Sequence, residues 1–178
     1  KHFQTLLLNR YKSYRDQGLA GILPYHRKGG IDFHPGDELR LSLQAASLLK
    51  KECPLFHNAA LNYPNSRPKG LEESFFWLNA LTDDKTTVSL MHHMGMEDNG
   101  MYIVLERQFY VSRSHNSVQG LGCACPVDAT TTIIAYCTRT STDQVAGFGG
   151  ATKRSIGARI MAGKVAQNFE RARENLPS

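Results

Sequence analysis

Seven histidines, four cysteines and a few charged residues set inside apolar runs are what this chain offers for chemistry. Ser114-His115-Asn116-Ser117 places a histidine among hydroxyls, the residue types of acid–base work. A nucleophile and its base must come within hydrogen-bond reach, and adjacent residues rarely point at each other. A turn whose Asn and Ser side chains bond the backbone accounts for the same letters. Glu106 and Asp143 are the other candidate acids or bases beside His115. His92 and His93 are neighbours, so on a strand they face opposite sides and do not share a metal. His26, Asp32 and His34 lie on one glycine-rich stretch, but no HExxH or comparable signature accompanies them, and no metal site is expected.

Arg107 and Arg139 fall within apolar strand-like runs. If they face inward, each buried charge demands an acidic partner or an anionic ligand. Glu106 and Arg107 point opposite ways on a strand and are not a pair. Arg139 with Asp143, across Thr140 to Thr142, reads as a structural ion pair, with a clamp for a ligand carboxylate as the sharper alternative. Further on, Gly149, Gly150, Lys153 and Arg154 stand where glycines meet a predicted helix start. Free backbone N–H groups and two cations there would suit a phosphate or carboxylate. The order matches neither a P-loop nor GxGxxG, and a capped strand-to-helix turn explains it as well. No cofactor is expected.

Cys53, Cys123, Cys125 and Cys137 are too few for a disulfide scaffold in 178 residues. Cys123-x-Cys125 lacks the second pair that a zinc finger or ribbon needs. Buried free thiols are the expected state.

The elements that must position these residues come next. Phe3 to Gln17 has helical spacing and stops at Gly18. Leu19 to Gly36 is punctuated by glycine and proline and reads as a long loop, a flap over the core. Asp37 to Lys51 is a second amphipathic helix, ended by Cys53-Pro54, and Leu55 to Leu61 adds a short helical turn. Leu71 to Leu81, with Phe75, Phe76 and the only tryptophan, Trp77, is strand or helix and forms core or a pocket wall. Thr86 to Met91 reads as a strand, and Asn99-Gly100 turns it into the next, making a hairpin. Met101 to Arg113 alternates with period two: Met101, Ile103, Leu105, Phe109 and Val111 share a face that Arg107 interrupts. Val118 to Cys125 and Ala129 to Thr140 supply two more strands, and short connections favour an antiparallel meander. From Thr152, a plausible N-cap, Ile156, Ile160, Val165 and Phe169 recur at helical spacing up to a stop at Pro177.

Composition sets the bounds. A chain of this length with 41% hydrophobic and 21% charged residues is ordinary for one globular domain with a real core. The reading is a single domain, 1–178, with a helical and looped region over 1–70 and a sheet plus C-terminal helix over 71–178. No apolar run approaches the roughly 20 residues that span a bilayer. The first residue is Lys1, which leaves a removed signal peptide open. Net charge is +5, much of it on the last helix. A solvated face explains that charge, and with no recognisable nucleic-acid module none is expected as a partner.

The segments MYIVLERQFYVSR, TTTIIAYCTRT and VAGFGG and the helix from Thr152 resemble, over about Phe75 to Leu176, the helix-grip pattern of the START-like lipid-transfer and polyketide-cyclase superfamily. The resemblance implies an α+β fold in which a curved antiparallel sheet packs on a long C-terminal helix, with an apolar cavity between them. It implies no reaction, and the first seventy residues do not follow the superfamily's pattern. The expected function is therefore binding of a hydrophobic, lipid-like or aromatic small molecule. Trp77, Tyr110, Tyr136 and Phe148 are the pocket candidates, with Arg107 or Arg139 as a polar anchor. Two alternatives stand beside it. One is a cyclase- or hydrolase-like enzyme using Glu106, His115 or Asp143. The other is an interaction module that uses the basic helix and the glycine-rich loop against a protein or an anionic surface. Compartment, ligand and oligomeric state are not fixed by the sequence.

Overall fold

A computed structural model describes residues 1–26, 32–82, 85–113, 115–142 and 150–175. The chain forms two compact units, Lys1–Ser141 and Thr142–Ser178. The first begins with helix α1 (His2–Gln17) and a short 3-10 turn, Gly18–Gly21. A two-stranded ribbon, β1 (Tyr25–His26) with β2 (Asp32–Phe33), follows. Three helices come next: α2 (Pro35–Gln44), α3 (Ser47–Glu52) and α4 (Pro54–Asn62). Five strands complete the unit: β3 (Glu72–Thr82), β4 (Lys85–Asp98), β5 (Met101–Val111), β6 (Ser117–Pro126) and β7 (Thr132–Ser141). They form one antiparallel meander in sequence order. The second unit contains helix α5 (Gly150–Glu174).

Period-two alternation decides which side chains meet the helices. The register pairs His92 with Arg107, Met94 with Leu105 and Met96 with Ile103. It pairs Arg107 in turn with Gln119, Leu105 with Leu121 and Ile103 with Cys123. These residues share one face of the sheet. Tyr14, Leu39, Leu43, Phe56, Ala59, Ala60 and Tyr63 of the N-terminal region pack on that face in a single core. The helices that build the sheet's core are therefore α1, α2 and α4. This corrects the expected helix-grip arrangement: the fold is α+β with an antiparallel sheet, but the core described on that sheet is built by the N-terminal third, which the expectation left out. The physical reason lies in Tyr14, Phe56 and Ala60. They fill the space above Arg107 and His92, joining residues far apart in the chain that no local spacing links.

Local signals explain most boundaries. Asn99 and Gly100 both have positive φ, the left-handed pair that a tight hairpin turn needs. Gly18 has a φ of 59°, and a Cβ there would stand 1.8 Å from the Tyr63 carbonyl oxygen, so α1 ends against the α4–β3 connection only because the residue is glycine. The second helix breaks at Ala45–Ala46, giving α2 and α3 where the sequence reads as one helix over Asp37 to Lys51. The Leu71 to Leu81 run is strand β3. The stretch expected as a loop holds the 3-10 turn and the small ribbon. No helix among the described residues is long and apolar enough to cross a membrane.

Candidate functional site

Arg107 lies in the middle of the core and is fully buried. Among the described residues no carboxylate bonds it. Its Nη1 donates to the Tyr14 hydroxyl at 2.9 Å, Nη2 to the Ala60 carbonyl at 2.8 Å and Nε to Gln119 Oε1 at 3.1 Å. With its oxygen taken by the guanidinium, Tyr14 donates its proton to His92 Nδ1, 2.8 Å away. That fixes the His92 proton on Nε2, which faces Glu73 Oε2 at 3.7 Å. Neither of these two atoms has a hydrogen-bond partner among the described residues. Glu73 is held from outside by Arg67. The imidazole stacks on Phe75 with ring centres 4.3 Å apart. Burial, with Arg107 and Arg67 adding to it, lowers the His92 pKa to about 3, so the ring is neutral. Burial also raises the Tyr14 hydroxyl. The sequence requirement of an anion for a buried Arg107 is thus met differently, by three neutral acceptors.

A cavity of about 360 Å³ opens beside this network, between α3 and strands β5 to β7. Leu48, Leu49 and Cys53 form its helical wall, and Met101, Ile103, Leu121 and Cys123 its floor, with Ala135 and Cys137 beyond. The space exists because the residues facing the short α3 are small: Cys123, Ala135 and Cys137 leave volume that larger side chains would fill. The β4–β5 hairpin tip holds the wall in place. Asp98 Oδ2 accepts the Phe56 N–H at 2.9 Å, capping α4, which has no side-chain cap of its own. Asn99 Nδ2 donates to the Glu52 carbonyl at 3.2 Å, at the last residue of α3.

Burial, and then the neighbouring Asp98, pushes the Cys53 thiol up to about 11, and burial raises Cys123. Both stay protonated at neutral pH and act as apolar groups rather than nucleophiles. All four cysteines are free thiols, but only Cys53 is buried, and Cys137 is exposed. Glu52 is the only charged residue among the described residues of the lining. This arrangement can exclude water from an apolar body.

The residues singled out from the sequence do not gather in one place. Tyr136 lines the cavity at α3. Trp77 lines a second cleft, against α1. Tyr110 lies below the Arg10 guanidinium, 5.0 Å from its ring centre. Arg107 is the core residue described above, and Arg139 is exposed on β7. Glu106 is exposed on the opposite face of the sheet, 3.9 Å from His93 Nδ1. His115 Nε2 lies 2.7 Å from Gln108 Oε1, and burial lowers its pKa. Asp143, Phe148 and Gly149 lie outside the described residues, as do the side chains of Lys153 and Arg154; Gly150 begins α5. His26 and Asp32 do meet, at 2.7 Å, across the β1–β2 ribbon. No group of three or more His, Cys, Asp or Glu among the described residues is placed to hold a metal ion. Leu48, Leu49, Cys53 and the floor of the cavity were missed because an unfilled space leaves no motif. Their one sequence signal is the clustering of alanine and cysteine at alternate positions of β6 and β7.

No family model matches the chain, and neither does any curated protein or solved structure.

Proposed function

We propose that this chain binds a small apolar molecule in the cavity between α3 and strands β5 to β7. One observation carries the reading: apart from Glu52, every residue lining the 360 Å³ space is apolar, a thiol, glycine or Tyr136. The volume falls within the range of about 300–1,000 Å³ in which small-molecule sites are found. An aliphatic chain or a small ring system fits this lining better than a polar metabolite, because each unpaired polar group brought in would cost about 1–3 kcal/mol.

Cysteine alkylation tests this directly. Three of the four thiols, Cys53, Cys123 and Cys137, line the cavity and Cys125 does not. With 1-decanol as the probe, Cys137 alkylation by iodoacetamide slows saturably while Cys125 alkylation is unchanged. Leu121→Trp, which fills the floor, abolishes that protection in a protein that still melts cooperatively. Equal protection of both thiols, or protection that survives Leu121→Trp, refutes the proposal.

A further inference from the structure

Among the described residues, strand β3 is an edge of the five-stranded sheet, paired on one side only, with β4. From Ser74 to Thr82 it reads SFFWLNALT, with no charge, proline or glycine. Its register against β4 runs without a bulge from Glu72 to Thr82. Edge strands ordinarily carry a charge, a proline or a bulge that prevents another strand from pairing with their free N–H and C=O groups. None of these guards is present along the nine residues.

The side chains beside this edge are equally uncovered. Trp77 is 64% exposed and Leu81 77%. Phe76 and Leu78, on the other face of the strand, are exposed as well, as are Phe3 and Leu8 of α1. Phe3, Leu8, Phe76 and Trp77 border one aromatic cleft of about 630 Å³, whose inner wall is Tyr11, Phe75 and Phe109. These six exposed side chains leave on the order of 600 Å² of apolar surface uncovered, given that a large aromatic side chain can bury about 150–250 Å². A standard interface buries about 800 Å² per partner. The patch, together with the backbone of the edge, therefore approaches the area a stable dimer needs.

We infer that β3 is the contact between two copies of this chain, paired antiparallel about a two-fold axis near Trp77. The sheet then continues from one copy into the other. The partner is a second copy because one patch supplies both halves of the contact. It holds an exposed indole, Trp77, on the rim of an aromatic cleft roomy enough for a second indole, so one patch can give and receive at a self-complementary two-fold interface. Antiparallel pairing also satisfies the free backbone groups of both edges at once.

Sedimentation of the full chain tests this. At about 50 µM, a concentration that populates dimers of micromolar dissociation constant, the expected species has twice the chain mass of 19.9 kDa. Leu81→Lys and Trp77→Lys, each at an exposed position, shift it to the monomer with at least a tenfold rise in dissociation constant. Ile133→Lys, on the opposite edge β7, leaves the dimer intact. A monomeric wild type, a dimer that survives both β3 substitutions, or one lost only with Ile133→Lys overturns the inference. Species that grow beyond two copies overturn it too, since they would report β3 pairing with β7 in an open ladder.

Discussion

His92 makes the stability of the first unit depend on acid. Its imidazole is buried between Phe75 and Tyr63 and accepts from Tyr14, and its folded-state pKa is lowered to about 3 by burial, with Arg107, Arg67 and His93 adding to it. Glu73, 3.7 Å away, is engaged by Arg67 and does not reverse the direction. An unfolded histidine titrates near 6.5. Between those two values the unfolded chain binds a proton that the folded chain refuses, so stability rises with pH across that window and falls as pH drops below about 6.5. At pH 5.0 the loss from this one group is about 2 kcal/mol relative to pH 7.5, or roughly 4–8 °C in melting temperature for a chain of this size. Urea unfolding followed by the fluorescence of Trp77, the only tryptophan, reports this unit. Carboxylates common to wild type and variant cancel when the pH-induced change is compared with that of His92→Gln. The variant should lose about 2 kcal/mol less between pH 7.5 and 5.0 than the wild type. Equal losses in the two proteins would refute the assignment of His92 as a buried neutral histidine.

Three further outcomes follow from the same contacts. Tyr14→Phe leaves Arg107 Nη1 and His92 Nδ1 without their shared partner and should destabilise by about 2–3 kcal/mol in urea unfolding, well beyond the effect of a surface Tyr→Phe. Asp98→Ala removes the cap on α4 and should cost about 1–2 kcal/mol; Asp98→Asn, which can still accept, should recover most of it. Gly18→Ala forces a Cβ to within 1.8 Å of the Tyr63 carbonyl at positive φ, so a loss of about 3 kcal/mol or more in chemical unfolding is expected, whereas Gly70→Ala, with open space around it, should cost only its backbone strain of about 1 kcal/mol.

The strands were legible where alternation was clean. Met101 to Val111 could be read with its faces assigned, and Arg107 already stood out as a charge on the apolar side. Asn99-Gly100 announced its turn. Other features rest on distance in the chain. The acceptors of Arg107 come from Tyr14, Ala60 and Gln119, and no spacing links them. That is why the buried cation was assigned an acid or an anionic ligand. Edge strand β3 was ambiguous because its apolar residues occupy both faces, which erases the period-two signal. The break between α2 and α3 falls at Ala45-Ala46, where neither glycine nor proline marks it. The expectation that the C-terminal helix would build the sheet's core followed from its length and its place after the strands, whereas Tyr14, Leu43 and Phe56 of the N-terminal region fill the described core.

The bond between Tyr14 and Arg107 joins residues 93 apart, and that between Tyr14 and His92 residues 78 apart. Translation runs at about 5–20 residues per second, so α1 emerges from the ribosome on the order of ten seconds before its partners exist. During that interval Tyr11 and Tyr14 have no sheet to cover them, and the 16-residue helix barely exceeds the length of about 12–15 residues below which an isolated helix is marginal in water. A segment made before the sheet is thus secured only after the sheet exists. A nascent chain arrested before β5 offers an unburied aromatic helix to whatever chaperone attends the exit tunnel.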